Sequence, residues 1–304
     1  MTDLRYAGGP ARLRKLLTVM CAVLVVLGLL SGCGARKDDR IVTLPGPAGD
    51  RTAIVFHPRS AGPGAPLVVV SHGANGSAEQ VRKSFGWDAL AEKNGFVVAY
   101  PDALDGRWNA GFCCRRANSP KVDDVAFLHD LRQLLIKEDD VDERRVLAVG
   151  ASNGGMLSYA WACTRAGDLA GIGVVAGALT VPCPRPAPIT VVAIHGTDDA
   201  VVPATGGMSV GGPGNNLVYP SIDEALEPFR VAAGCPPDPE IDVVPPATVA
   251  TWRCQQGREI VRDVIEGEDH GWPGSGGKAG TTDAPSDSTG FLWSQLGNVP
   301  PSTS

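Results

Sequence analysis

Apolar residues in this chain come in short runs, separated by stretches of helical spacing and by turns rich in Gly and Pro. The runs are PLVVVS at 66–71, GFVVAYP at 95–101, RRVLAVG at 144–150, GIGVVAGAL at 171–179 and PITVVAIHG at 188–196. Short, continuous apolar runs bounded by turn residues predict strands buried on both faces. Between them, residues 77–93, 123–137, 153–165 and 221–233 carry helical spacing. The clearest is Asp123 to Lys137, with Val125, Phe127, Leu128, Leu131, Leu134 and Leu135 on one stripe, acids at its start and a lysine at its end. Further strands are predicted at 52–56 and around Trp252 and Val261, and a short helix at 291–296. Strand–helix alternation predicts an α/β chain: a mostly parallel, doubly wound sheet with helices on both faces. There is no internal repeat. The Gly-rich stretch from Ala204 to Asn216 reads as a long loop within the domain, of a length that is usually functional or mobile.

The N-terminus follows another pattern. Arg5, Arg12, Arg14 and Lys15 precede the apolar run Leu16 to Leu30, the layout of an export signal, and the run is short for a membrane span. It ends in Leu30-Ser31-Gly32-Cys33, which resembles a bacterial lipobox and implies cleavage before Cys33 and lipid on that residue. The expected organisation is a lipoprotein signal peptide at 1–32, a polar tether at 33–50 and a single domain at 51–304. Such a protein is exported and held at the outer face of the cell membrane by lipid, or is extracellular. Without residues 1–32 the chain has 23 basic and 32 acidic residues, a net charge of −9. An acidic domain with no basic run is a poor nucleic-acid binder. Six cysteines remain in the domain, and an even count in an exported protein favours disulfides. Cys235 and Cys254 are neighbours along the chain and flank a Pro-rich loop, so they are paired here. Cys113, Cys114, Cys163 and Cys183 allow three connectivities. Zinc is the weaker reading, because no Cys-x-x-Cys with matching His spacing is present.

The candidate chemistry lies at Gly150-Ala151-Ser152-Asn153-Gly154, a G-x-S-x-G between a predicted strand and a predicted helix. Glycines there permit a sharp turn that lifts the serine out of the sheet as a nucleophile. Gly207-Met208-Ser209-Val210-Gly211 matches the same pattern, but it lies in a loop with neither strand nor helix beside it. A serine hydroxyl needs a base, and the base an orienting acid. Of five histidines, His270 lies in the late loop GEDHGWPG, where a sheet of this kind delivers its base. Asp198 and Asp199 follow the strand PITVVAIHG, at the end where catalytic groups gather. The order is thus Ser152, then Asp198 or Asp199, then His270. Backbone N–H groups of Asn153 and Ala74 are the expected oxyanion donors, with His72 bracing the second loop.

The ordered motifs SHGANG, RWNAGFCC, VDDVAFL, GASNGGM, HGTDDAVVP and GEDHGWPG resemble the esterase family that includes polyhydroxybutyrate depolymerases and feruloyl esterases. They span about Pro66 to Gly274. With its lipobox, the chain resembles LpqC-type actinobacterial lipoprotein esterases. The resemblance implies an α/β-hydrolase fold and makes Asp199 the triad acid. It also implies that no metal or organic cofactor is needed. Two departures are the carboxylates of Glu268 and Asp269 beside the base, which could raise its basicity or repel anionic substrates, and Ala74 where a cysteine often follows the oxyanion "HG". Ala74, together with the absence of a polymer-binding module, points to a soluble acyl or aryl ester rather than solid polymer. Trp108 and Trp272 fall inside matched motifs and are expected as walls for an aryl or sugar ring. The expected protein is a monomeric serine esterase acting on short acyl, aryl or feruloyl esters, or on hydroxyalkanoate oligomers. The rival readings are a serine peptidase on the same fold and a binding lipoprotein that has lost catalysis.

Overall fold

The computed structural model describes Met1 and residues 39–114, 122–275 and 287–302. The expected signal segment beyond Met1, and the lipidation residue Cys33, lie outside the described residues.

Twelve strands run in chain order: β1 (Arg40–Leu44), β2 (Arg51–Phe56), β3 (Ala65–Ser71), β4 (Val97–Pro101), β5 (Val141–Ala151), β6 (Gly171–Val175), β7 (Thr190–Gly196), β8 (Gly207–Met208), β9 (Val218–Tyr219), β10 (Glu240–Val244), β11 (Ala247–Arg253) and β12 (Glu259–Ile265). Ten of them form one sheet in the order β1-β2-β4-β3-β5-β6-β7-β12-β11-β10. The six from β4 to β12 are mutually parallel, while β1, β2, β11 and β10 pair antiparallel at the two flanks. Strands β8 and β9 make a separate small hairpin. Every residue of β3, β4, β6 and β7 is buried. Their unbroken apolar runs follow from helices covering both faces.

Helices α3 (Asp124–Asp139), α4 (Asn153–Thr164) and α5 (Ile222–Ala233) pack on one face, in a core with Leu67, Val69, Leu131, Trp161 and Phe229. Helices α1 (Ala78–Phe85), α2 (Trp87–Asn94) and α6 (Ser288–Leu296) cover the other, with Val81, Trp87, Val149, Val192 and Leu292. Asp123 caps α3 by accepting from Ala126 N at 2.9 Å, and Ser221 and Glu224 close a capping box on α5.

Three boundaries differ from the sequence reading. Residues 40–44, which fall within the expected tether 33–50, form a sheet strand, its register running from Arg40↔Val55 to Leu44↔Arg51. An edge strand needs only one inward side chain, here Val42, so it leaves no apolar run to recognise. Arg40 also bonds both carboxylate oxygens of Asp139, at 2.6 and 2.7 Å. The helix expected over 77–93 is two helices, broken at Gly86, whose φ of +78° ends α1 and opens α2. Strand β10 (EIDVV) was not expected, since its acids interrupt the apolar pattern and all five residues are exposed at the other edge.

Disulfides join Cys113 to Cys114, Cys163 to Cys183 and Cys235 to Cys254. The last is the pairing expected from the sequence.

Candidate active site

Strand β5 ends at Ala151, α4 begins at Asn153, and Ser152 alone makes the turn, at φ +52° and ψ −120°. A non-glycine residue in that region is strained and persists only where its surroundings hold it. Ser152 N–H donates to Val175 O at 2.8 Å, and its carbonyl accepts from Met156 N at 2.9 Å. The flanking glycines are needed because the helix enters at van der Waals contact with the sheet: a Cβ on Gly154 would strike the carbonyl oxygens of Ser71 and His72. Tight packing and a raised serine thus arise from the same turn. Ser209, the other match to the motif, does follow a two-residue strand, β8, but opens no helix; it is buried and bonds Gly211 O at 3.3 Å.

Ser152 Oγ lies 2.9 Å from His270 Nε2, and His270 Nδ1 lies 2.8 Å from Asp199 Oδ2. The three side chains come from the ends of three parallel strands, β5, β7 and β12, at the carboxyl edge of the sheet. Asp198 is exposed and bonded to Thr197 Oγ1 at 3.1 Å, so Asp199 is the carboxylate that reaches the histidine. The loop carrying His270 is pinned to the one carrying Asp199, through Asp198 N to Glu268 O at 3.1 Å and Gly267 N to Thr197 Oγ1 at 2.8 Å.

Burial alone would raise the pKa of Asp199. It is outweighed by hydrogen bonds from His195, His270 and the Val202 N–H, which hold the carboxyl well below the usual carboxylate range. His195 was missed from the sequence. It is buried at the end of β7, its Nε2 2.6 Å from Val202 O and 3.2 Å from Asp199 Oδ2. A carbonyl only accepts, so Nε2 carries the proton and can share it with the carboxylate. The four-residue step from His195 to Asp199 in HGTDD was the available signal.

Of the two expected oxyanion donors, Asn153 directly follows Ser152, and Ala74 follows a glycine that lies close to it. Asn153 is the first residue of α4, whose N–H has no acceptor within the helix. Gly73, next to Ala74, comes so close that a Cβ there would lie 3.6 Å from Ser152 Cβ. His72 is fully buried and braces this loop: it receives Ala103 N–H on Nε2 at 3.1 Å and has Gly73 O 2.7 Å from Nδ1. Burial lowers its pKa, which suits a neutral ring with one accepting nitrogen.

The two expected tryptophan walls are placed otherwise. Trp108 is completely buried, with Nε1–H donating to His72 O at 2.8 Å and its backbone N–H to Asn153 Oδ1 at 2.7 Å. Trp272 is 6% exposed, stacked on Phe85 at 4.0 Å and bonded through Nε1 to Thr289 Oγ1 at 3.1 Å. Each indole N–H has an internal acceptor, so both rings pack inward and offer no face to a ligand. Among the described residues no group of three His, Cys, Asp or Glu side chains is placed to hold a metal ion.

No protein-family model matches the chain. It is 30% identical over 228 residues to "Putative esterase NocK" of Nocardia uniformis subsp. tsuyamanensis, covering 69% of this chain and 66% of that one. It is 33% identical over 137 residues to feruloyl esterase C of Emericella nidulans, covering 44% and 46%. With feruloyl esterase B of Piromyces equi it shares 26% over 216 residues, 68% of this chain and 39% of that one. The chain thus spans just under two thirds of the first relative and less than half of the two feruloyl esterases. Among solved structures, an acetyl xylan esterase from Aspergillus awamori superposes with TM-score 0.57 at 14% identity, over 76% of this chain and 94% of that one. The apo form of Thermogutta terrifontis esterase 2 gives TM-score 0.57 at 16% identity, over 88% and 98%. At these identities the structural likeness speaks for the α/β-hydrolase fold.

Proposed function

We propose that this chain, which belongs to the α/β-hydrolase esterase family that includes the feruloyl esterases, hydrolyses carboxylic esters through a Ser152–His270–Asp199 triad and an acyl-enzyme. One observation carries the reading: a single line of contacts, 2.9 Å and 2.8 Å long, joins a strained, raised serine to a histidine and a buried carboxylate. Ser152 Oγ attacks the ester carbonyl as His270 Nε2 takes its proton. The proton then passes to the leaving alcohol, and the acyl group stays on Ser152. Water, deprotonated by the same nitrogen, attacks the acyl-enzyme and releases the acid. Asp199 holds the Nδ1–H tautomer of His270 and stabilises the imidazolium. The backbone N–H groups of Asn153 and Ala74 receive the oxyanion. The substrates are short acyl, aryl or feruloyl esters, or soluble hydroxyalkanoate oligomers. Three disulfides suit an exported protein, and lipid on Cys33 would hold it at the membrane surface, one diacyl group being sufficient.

The test sets wild type beside Ser152→Ala on 4-nitrophenyl acetate, butyrate and octanoate, methyl ferulate and a soluble hydroxybutyrate oligomer. Activity in wild type and a loss of about 10⁴-fold or more in the variant is the expected result. Full activity in Ser152→Ala, or a folded wild type that neither hydrolyses any member nor reacts with a fluorophosphonate, overturns the reading. Palmitate incorporation that persists in Cys33→Ala overturns the anchor.

A further inference from the structure

Residues 107 and 108 lie between the two expected oxyanion donors. The Trp108 backbone is tied to both ends of the Asn153 side-chain amide, at 2.7 Å and 3.2 Å. The Arg107 side chain turns to the other donor loop, its Nε donating to Asn75 Oδ1 at 3.1 Å, one residue beyond Ala74. Asn75 itself is held at φ +64° by its N–H bond to Gly106 O at 2.7 Å. The guanidinium is thus anchored through one nitrogen to the residue that follows Ala74. Arg107 is half-buried, and among the described residues no carboxylate pairs with it, leaving both terminal nitrogens without a protein partner.

Other arginines near this edge are used up in the fold. Arg51 is buried against Asp124 at 2.6 Å, and Arg82 pairs with Asp39 and Asp88. Of the acids nearby in sequence, Asp102 accepts from Ala78 N at 2.7 Å and Asp105 is exposed, while Glu268 and Asp269 directly precede His270 in its loop. A cation is therefore tied to the loop of Ala74, and acids stand in the loop of the base. Two parallel N–H groups on a planar guanidinium match a carboxylate.

We propose that Arg107 is a specificity residue, and that the site prefers esters bearing a free carboxylate a few bonds from the scissile carbonyl. Monoesters of dicarboxylic acids and acid-terminated hydroxyacid oligomers are of this class. The proposal rests on the esterase reading above and adds its substrate class. The carboxylate docks on the terminal nitrogens of Arg107 and the reacting carbonyl lies between Ala74 and Asn153. The negative end is thereby kept clear of Glu268 and Asp269.

The experiment compares kcat/KM for mono-4-nitrophenyl glutarate with that for 4-nitrophenyl valerate, in wild type, Arg107→Gln and Arg107→Lys. The readout is the ratio of the anionic to the neutral ester, so each protein carries its own folding control. Losing one charge-assisted pair should lower the ratio about tenfold or more in Arg107→Gln, while Arg107→Lys recovers part of it. The wild-type ratio should also fall as salt is raised. A ratio unchanged by Arg107→Gln overturns the role of Arg107 and leaves the esterase reading standing. A wild type inert towards both esters overturns the esterase reading itself.

Discussion

His195 and His270 share one carboxylate oxygen: Nε2 of the first lies 3.2 Å and Nδ1 of the second 2.8 Å from Asp199 Oδ2. The other oxygen, Oδ1, takes the N–H groups of Val201 at 2.9 Å and Val202 at 2.7 Å. Asp199 is therefore held from two sides independently of His270. His195→Ala removes one donor and leaves Val202 O unpaired. It should lower kcat about tenfold with little change in KM, since positioning of the acid matters in the transition state. Steady-state kinetics on one neutral ester decide this, and an unchanged kcat would reduce His195 to packing.

Asp199→Asn keeps the size of the side chain but disturbs the histidine tautomer, and kcat should drop by about 10⁴. The same carboxylate affects stability. Its folded pKa lies below the unfolded value of about 3.9, so its contribution is complete above roughly pH 4 and is lost as pH falls through the lower, folded value. Wild-type Tm should therefore fall in acid below about pH 4, and the Asp199→Asn curve should be flatter there. Parallel curves for the two proteins would contradict the assignment.

Trp108 acts through hydrogen bonds rather than as a wall. Trp108→Phe leaves His72 O without its donor and loosens the oxyanion loop. It should lower kcat/KM for acetyl and feruloyl esters by the same factor, about tenfold. A loss confined to aryl esters would restore the stacking role that burial argues against.

The Cys235–Cys254 bridge ties the end of α5 to the end of β11, enclosing β10 and β11, at a sequence separation of 19. Chain entropy assigns such a closure about 3 kcal/mol. For a domain of this size that is roughly 6–12 °C in Tm, to be read by calorimetry on the Cys235→Ala/Cys254→Ala double variant. Activity at 25 °C should persist, because neither cysteine bonds Ser152, Asp199 or His270.

The parts legible in the sequence were those in which one pattern decides the outcome. Unbroken apolar runs marked the strands buried on both faces, and the strand–serine–helix context separated Ser152 from Ser209. Resemblance, not spacing, separated Asp199 from Asp198, and the structure gives the physical basis in burial against His195. What stayed hidden depends on neighbours distant in sequence. Val42 is enough to seat an edge strand only because β2 lies beside it. Trp108 turned inward because its N–H meets His72 O across 36 residues. Gly86 divides a continuous helical pattern because its left-handed φ leaves no residue for one straight helix.

Strand β1 begins at Arg40, and Arg40 is clamped to Asp139. If lipid sits on Cys33, six residues, 34–39, separate the bilayer surface from the rigid sheet. Fully extended, they span at most about 20 Å. With lipid there, so short a leash would confine the domain to a thin shell of fluid over the membrane. Its diet would then be set by what diffuses into that shell or is displayed there, and a polymer lying farther out would be beyond its reach.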